Sequence, residues 1–194
     1  MRRIAVFCGS SKGFDQAYEN AAVKVGQYFA KKDIGLVYGG GKIGLMGILA
    51  DTVIKNKGEV IGVIPGLLKH EEVVHTNISQ LIVTRKMSKR KVKISKLVDG
   101  YIALPGGFGT LDEIFEALTL GQLGIERKAI GLLNTNSYFK HTLLQLDHMV
   151  SEGFLKQENR DMIKVSESIE ELIDHMLSYR FPGTNKIVNS GLIP

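Results

Sequence analysis

Short apolar runs rich in β-branched residues alternate with helical stretches along almost the whole chain. No other feature constrains the fold as much. The runs are Ile4–Cys8, Gly35–Tyr38, Val60–Ile64, Gln80–Thr84, Tyr101–Leu104 and Ile130–Leu133, with a weaker one at Met162–Val165. Helical patterns cover residues 15–31, 45–57, 88–98, 111–123, 138–152 and 168–179. Ile4-Ala5-Val6-Phe7 and Tyr101-Ile102-Ala103-Leu104 are apolar at successive positions, as strands buried on both faces are. The expected architecture is α/β: a single Rossmann-like, doubly wound domain whose mostly parallel sheet of about seven strands is flanked by helices. Residues 1–180 form this domain in that reading. Residues 181–194, with Pro182, Gly183, Gly191 and Pro194, form a tail or a partner-docking arm.

Composition narrows the function classes. Cys8 is the single cysteine of 194 residues, which excludes an internal disulfide framework and a Cys-based zinc cluster. Met1-Arg2-Arg3 is followed by only five apolar residues, too short for a signal-peptide core, and no run approaches a membrane span. A cytoplasmic protein without membrane partners is the expectation. The five histidines make no metal motif: His70 and His75 flank Glu71 and Glu72 without the H-E-x-x-H spacing.

Glycine is in excess, 22 residues, and ten of them fall in three turns that follow strands. These are Cys8–Gly13, Gly39–Gly47 and Pro105–Thr110. In open α/β sheets ligands bind beyond the carboxyl ends of the strands. Glycine lets backbone N–H groups approach an anion, and the next helix adds its positive end. A phosphate cradle is the reading that joins all three, with Ser10, Gly40, Gly41, Gly107, Phe108, Gly109 and Thr110 as contacts. Ser10 and Ser11 lack a nucleophile elbow and fit as hydroxyl ligands. Gly39, Gly41 and Gly44 match G-x-G-x-x-G, but the acid required about 20 residues on is missing from the end of the next strand: Glu59 precedes it. The Walker pattern is absent too, so NAD and ATP chemistry are disfavoured.

Thr110-Leu111-Asp112-Glu113 reads in two ways. It matches a capping box, in which Glu113 turns back to the Thr110 backbone; its place beside a phosphate-like turn makes Glu113 a pocket acid that needs a cation. Residues 85–96 supply seven basic side chains and no acid, more than the whole net charge of +5. Most belong to a solvated helix face, while Arg90 or Lys91 sits early enough to reach the strand ends. The run holds no aromatic residue and the chain no Trp, which argues against nucleic acid as the partner. Cys8 reads as a small buried hydrophobe.

Pro105-Gly106-Gly107-Phe108-Gly109-Thr110-Leu111-Asp112-Glu113 resembles the P-G-G-x-G-T-x-x-E signature of the Lonely Guy family, cytokinin riboside 5′-monophosphate phosphoribohydrolases once mislabelled lysine decarboxylases. The resemblance runs from Phe7-Cys8-Gly9-Ser10 through Met87-Ser88-Lys89-Arg90-Lys91 to Glu152-Gly153-Phe154. It implies hydrolysis of the N-glycosidic bond of cytokinin riboside 5′-monophosphates or AMP, giving free base and ribose 5-phosphate, with no cofactor. By position it implies Arg90 and Glu113 as the catalytic pair, and Glu72, Lys91, the Gly107–Thr110 turn and Thr119 as ligand contacts. It also implies a homodimer. Ser88 and Lys89 depart from the common pattern, where His and Glu or Gln are frequent; Ile94 and Asp112 depart too. The alternatives are a broader purine nucleotide 5′-monophosphate nucleosidase and a non-catalytic nucleotide or molybdenum-cofactor carrier on the same fold.

Overall fold

The computed structural model describes residues 1–69 and 74–181. Seven strands form one sheet: β1 Arg3–Phe7, β2 Gly35–Tyr38, β3 Val60–Pro65, β4 Gln80–Thr84, β5 Gly100–Ala103, β6 Ala129–Leu133 and β7 Ile163–Ser166. Their order is β4-β3-β2-β1-β5-β6-β7, with every pairing parallel. The longer helices are α1 Gln16–Lys31, α2 Gly44–Lys55, α3 Met87–Ser95, α4 Phe108–Gln122 and α5 Lys140–Ser151. A short α6, Gln157–Arg160, precedes β7, and α7 Ile169–Ser178 follows it.

The two-residue alternation of a strand explains the continuous apolar runs. Ile4 and Val6 enter the cluster under α1, α2 and α7; Ala5 and Phe7 enter the one under α3, α4 and α5. β1 lies at the centre of the sheet, so both faces of its Ile4–Phe7 stretch are covered and carry apolar residues, while Arg3 at its start is only partly buried. Side chains cap α1 and α7 at their starts: Asp15 accepts from the Ala17 N–H at 2.8 Å, and Ser168 accepts from Glu171.

The expected fold is the observed one, with local differences that have physical causes. β5 begins one residue before the expected strand because Gly100 already pairs with Ile4; Asp99 accepts the Arg2 and Arg3 N–H groups just ahead of it. α4 begins at Phe108 with Gly107 as its N-cap, earlier than the expected residue 111. Thr110 is therefore a buried residue of the first turn and not the cap. The capping-box reading of Thr110 and Glu113 is corrected accordingly. α6 and the 3₁₀ turns Gly66–Lys69 and Thr135–Ser137 carry no apolar period that a pattern search detects. The expected tail lies outside the described residues, Phe181 excepted.

α3 is the least buried of the helices next to the site. Ile94 is its sole buried residue, so polar ties must fix its position. Arg90 Nε donates to the Val63 carbonyl at 2.9 Å, and Lys91 bridges to Asp112 and Glu116 on α4. At the far end Glu126 accepts from Ser95 Oγ and Tyr101 Oη, while Lys128 Nζ donates to the Ser95 carbonyl.

Candidate active site

The three glycine turns meet at the carboxyl edge of β1, β2 and β5, and they are knitted by backbone. The Gly9 N–H donates to the Pro105 carbonyl at 3.0 Å, and the Leu45 N–H donates to the Gly9 carbonyl at 3.1 Å. A Cβ on Gly44 would stand 2.3 Å from the Ser10 carbonyl carbon, and one on Gly106 would stand 2.8 Å from the Gly9 nitrogen. Tyr138 Oη donates to the Gly106 carbonyl at 2.6 Å and fixes the third turn from the side. Gly107 and Gly109 differ from these: a Cβ on either would meet nothing within 4 Å. Some of the glycines are thus needed for turn-on-turn packing, and these two face open space.

That space is a cavity of about 320 Å³. Gly9, Ser10, Gly39, Gly107, Gly109 and Thr110 line one part of it; Met46, Pro65, Leu68, Met87 and Phe108 give it an apolar part. Cys8, Arg90, Asp112 and Glu113 complete the titratable groups of the wall. The N-terminus of α4 opens into it, so the free N–H groups of the first turn and the helix dipole supply partial positive charge.

Arg90 and Glu113 form an ion pair inside this wall, with side chains only 13% and 10% exposed. Gly39 makes room for the guanidinium, since a Cβ there would lie 2.9 Å from Arg90 Nη2. Burial lifts the Glu113 carboxyl above the usual glutamate range; Arg90 and Lys91 pull it back only in part, and Asp112 adds to the rise. The result is a buried carboxyl raised above the ordinary glutamate range and paired with the Arg90 guanidinium. Burial also pushes the Cys8 thiol up to about 12, so it lines the cavity as an un-ionised sulfhydryl. Among the described residues no group of three His, Cys, Asp or Glu side chains is placed to hold a metal ion. None of the described helices is long and apolar enough to cross a membrane.

A family model described as possible lysine decarboxylase matches residues 46–176. A cytokinin riboside 5′-monophosphate phosphoribohydrolase of Arabidopsis thaliana is 41% identical over 178 residues, 92% of this chain and 83% of that protein. The chain belongs to the Lonely Guy family. A rice enzyme of the same description, from Oryza sativa subsp. japonica, is also 41% identical, over 92% of this chain and 74% of its own. Solved structures extend the likeness of fold alone. The molybdenum cofactor binding protein of Rippkaea orientalis superposes with a TM-score of 0.68 at 23% identity, covering 91% of this chain and 95% of that one. DNA processing protein A of Helicobacter pylori gives a TM-score of 0.60 at 14% identity, over 90% and 80%.

The structure distributes the residues expected from the Lonely Guy signature unevenly. Arg90, Glu113, Ser10, Gly107, Phe108, Gly109 and Thr110 converge on the cavity. Lys91, one position along the helix from Arg90, points away by the 100° turn of an α-helix and is engaged by Asp112 and Glu116. Thr119 lies a turn and a half beyond Glu113, exposed, with its hydroxyl donated to the Phe115 carbonyl. Gly40 and Gly41 are buried and pair with the segment after residue 73: the His75 N–H donates to the Gly40 carbonyl, and Gly41 bridges to Val74. Glu72 lies outside the described residues. The apolar wall of Met46, Pro65, Leu68 and Met87 was not anticipated. Met46, Pro65 and Leu68 sit in or beside apolar stretches and read as core until the topology brings the strand ends together, while Met87 is hidden inside the basic run 85–96.

Proposed function

We propose that this chain hydrolyses the N-glycosidic bond of cytokinin riboside 5′-monophosphates, and of AMP, to a free adenine-type base and ribose 5-phosphate. The observation that carries the reading is the buried Arg90–Glu113 pair beside the open glycine edge of α4. The amides of that turn and the helix dipole fit a 5′-phosphate. Breaking the C1′–N bond builds positive, oxocarbenium-like charge on the sugar, which a carboxylate stabilises. Water adds its oxygen to C1′ as the C1′–N bond breaks; one of its protons passes to Glu113 and is then given up, through solvent, to the nitrogen of the departing base, so Glu113 ends the cycle ionised. Arg90 keeps Glu113 ionised and oriented. Proton transfer through a positioned carboxylate contributes typically ~10²–10⁴-fold, and the step needs no redox or metal cofactor.

The 41% identical relatives of Arabidopsis thaliana and rice carry this activity in their names, which supports the same reaction here. A homodimer belongs to the proposal. Val92 and Ile125, half or more exposed, and Phe115 at 36% supply apolar surface for it, and sedimentation equilibrium reads the mass directly. A cytoplasmic site of action accompanies a soluble nucleotide substrate. Chromatography of isopentenyladenosine monophosphate and of AMP incubated with the protein tests the reaction. Release of free base and ribose 5-phosphate is expected, falling at least ~100-fold in Glu113→Gln and in Arg90→Ala. No base from any monophosphate would refute the reading. Full activity in Glu113→Gln would refute the assigned mechanism. Comparable turnover of AMP and the prenylated nucleotide would favour the broader nucleosidase.

A further inference from the structure

The ionised side chains of the cavity wall do not by themselves attract a phosphate. Among the described lining residues they are Arg90, Asp112 and Glu113, which sum to one negative charge. Arg90 is engaged by Glu113, and Lys91 by Asp112 and Glu116. A phosphate monoester brings nearly two negative charges at neutral pH. The amides at the start of α4 offer only partial charges. A cation source must lie elsewhere.

It lies at the beginning of α3. Met87 lines the cavity, and around it Arg85, Lys86 and Lys89 are exposed. No described acid forms an ion pair with any of the three. Lys86 is the N-cap of α3, and its carbonyl accepts the Arg90 N–H, so it lies one turn from the cavity's own arginine. Three positive charges that no described acid pairs with, at the positive end of a helix, oppose that helix's stability, a cost that a role in attracting anions accounts for.

We propose that Arg85, Lys86 and Lys89, exposed at the start of α3 beside the cavity-lining Met87, form an electrostatic collar that steers the dianionic 5′-phosphate of a nucleoside monophosphate toward the cavity. The proposal rests on the hydrolase reading for its substrate, and it concerns association, not the chemical step. A charged cleft mouth raises association rates by ~10–10³ when screening is weak. At ~0.01 M ionic strength the Debye length is about 30 Å, so all three charges act together; at ~1 M it is about 3 Å and the effect disappears.

Stopped-flow association of the fluorescent monophosphate etheno-AMP with the full chain tests this. Arg85→Gln/Lys86→Gln/Lys89→Gln is expected to associate about tenfold more slowly than wild type at low salt and within about twofold at ~1 M. The single variant Lys89→Glu should show a smaller loss of the same salt dependence. A control, Lys31→Gln/Lys32→Gln/Lys55→Gln, removes equal charge where α1 and α2 end at the opposite edge of the sheet, and it should associate like wild type. Turnover at saturating substrate should be unchanged in all three.

Equal association in the collar variant and wild type overturns the proposal, as does equal slowing in the control. So does no association of etheno-AMP with wild type. A collar variant that loses affinity for a single-stranded oligonucleotide yet takes up etheno-AMP normally also overturns it, in favour of a polyanion surface. Base release is read separately: wild type that binds etheno-AMP through the collar but frees no base from any monophosphate sinks the hydrolase reading and keeps the collar.

Discussion

The two kinds of glycine in the turns should respond to alanine with opposite signs. Gly44 has φ +61°, and its Cβ would fall 2.3 Å from the Ser10 carbonyl carbon and 2.5 Å from the Ser11 nitrogen. The left-handed conformation costs an alanine roughly 1–2 kcal/mol, and forcing two backbones apart costs about 1–3 kcal/mol more. For a domain of this size each kcal/mol moves Tm by about 2–4 °C, so Gly44→Ala should melt roughly 4–20 °C below wild type. Gly109 sits inside α4 with nothing near its missing Cβ. Alanine there gains about 0.8–1 kcal/mol of helix propensity, and Tm should rise by about 2–4 °C. Its methyl group would project where the phosphate is proposed to lie, so KM for a monophosphate should rise about tenfold, equivalent to ~1.4 kcal/mol of lost binding. Thermal melts followed by circular dichroism, paired with base-release kinetics, read both effects. A Gly44→Ala protein that melts like wild type would refute the packing account. An unchanged KM in Gly109→Ala would refute the phosphate placement.

Ser137, at φ +54°, carries left-handed strain that glycine relieves; Ser137→Gly should gain about 1 kcal/mol in urea unfolding. The Glu113 carboxyl is raised by burial, and the proposed mechanism uses it ionised, so activity should be lost as pH falls through a value above the usual ~4.3 of glutamate. An acid limb of kcat/KM at or below that value would count against Glu113 as the base. Cys8, buried and with its thiol pushed up to about 12, should resist Ellman's reagent at pH 8 until the protein is denatured. Glu126→Ala strands the donors of Ser95 and Tyr101 and the Lys128 charge, and should cost about 2–4 kcal/mol of stability in denaturant titration.

The strands were legible because a parallel sheet covered on both faces demands unbroken apolar runs, as in Gly35–Tyr38, whose bounds are the same in sequence and structure; the edge strand Gln80–Thr84, with no buried residue, was legible from its apolar centre Leu81-Ile82-Val83. The start of α4 was not, since Gly107 and Gly109 contribute no periodicity and Thr110 mimics a cap. In the site, the signature marked Glu113 and the basic run marked Arg90 together with Lys91. What separates those neighbours is the rotation of α3, set by the Val63 carbonyl and by two acids on α4. These are tertiary contacts that a one-dimensional pattern does not hold. Ser10 on the first turn and Met46 near the end of the second meet across the cavity because β1 and β2 are neighbours in the sheet, 32 residues apart by register.

That register also dictates an order of events during synthesis. One edge of β1 finds its partner early, when Gly35 follows Arg3. The other must wait for Gly100, 96 residues after Ile4. At ~5–20 residues per second the ribosome leaves that apolar edge bare for roughly 5–20 s. β1, one of the strands that end at the cavity, is thus open to mispairing or to chaperone capture in the nascent chain, and the cavity is completed only when β5 arrives.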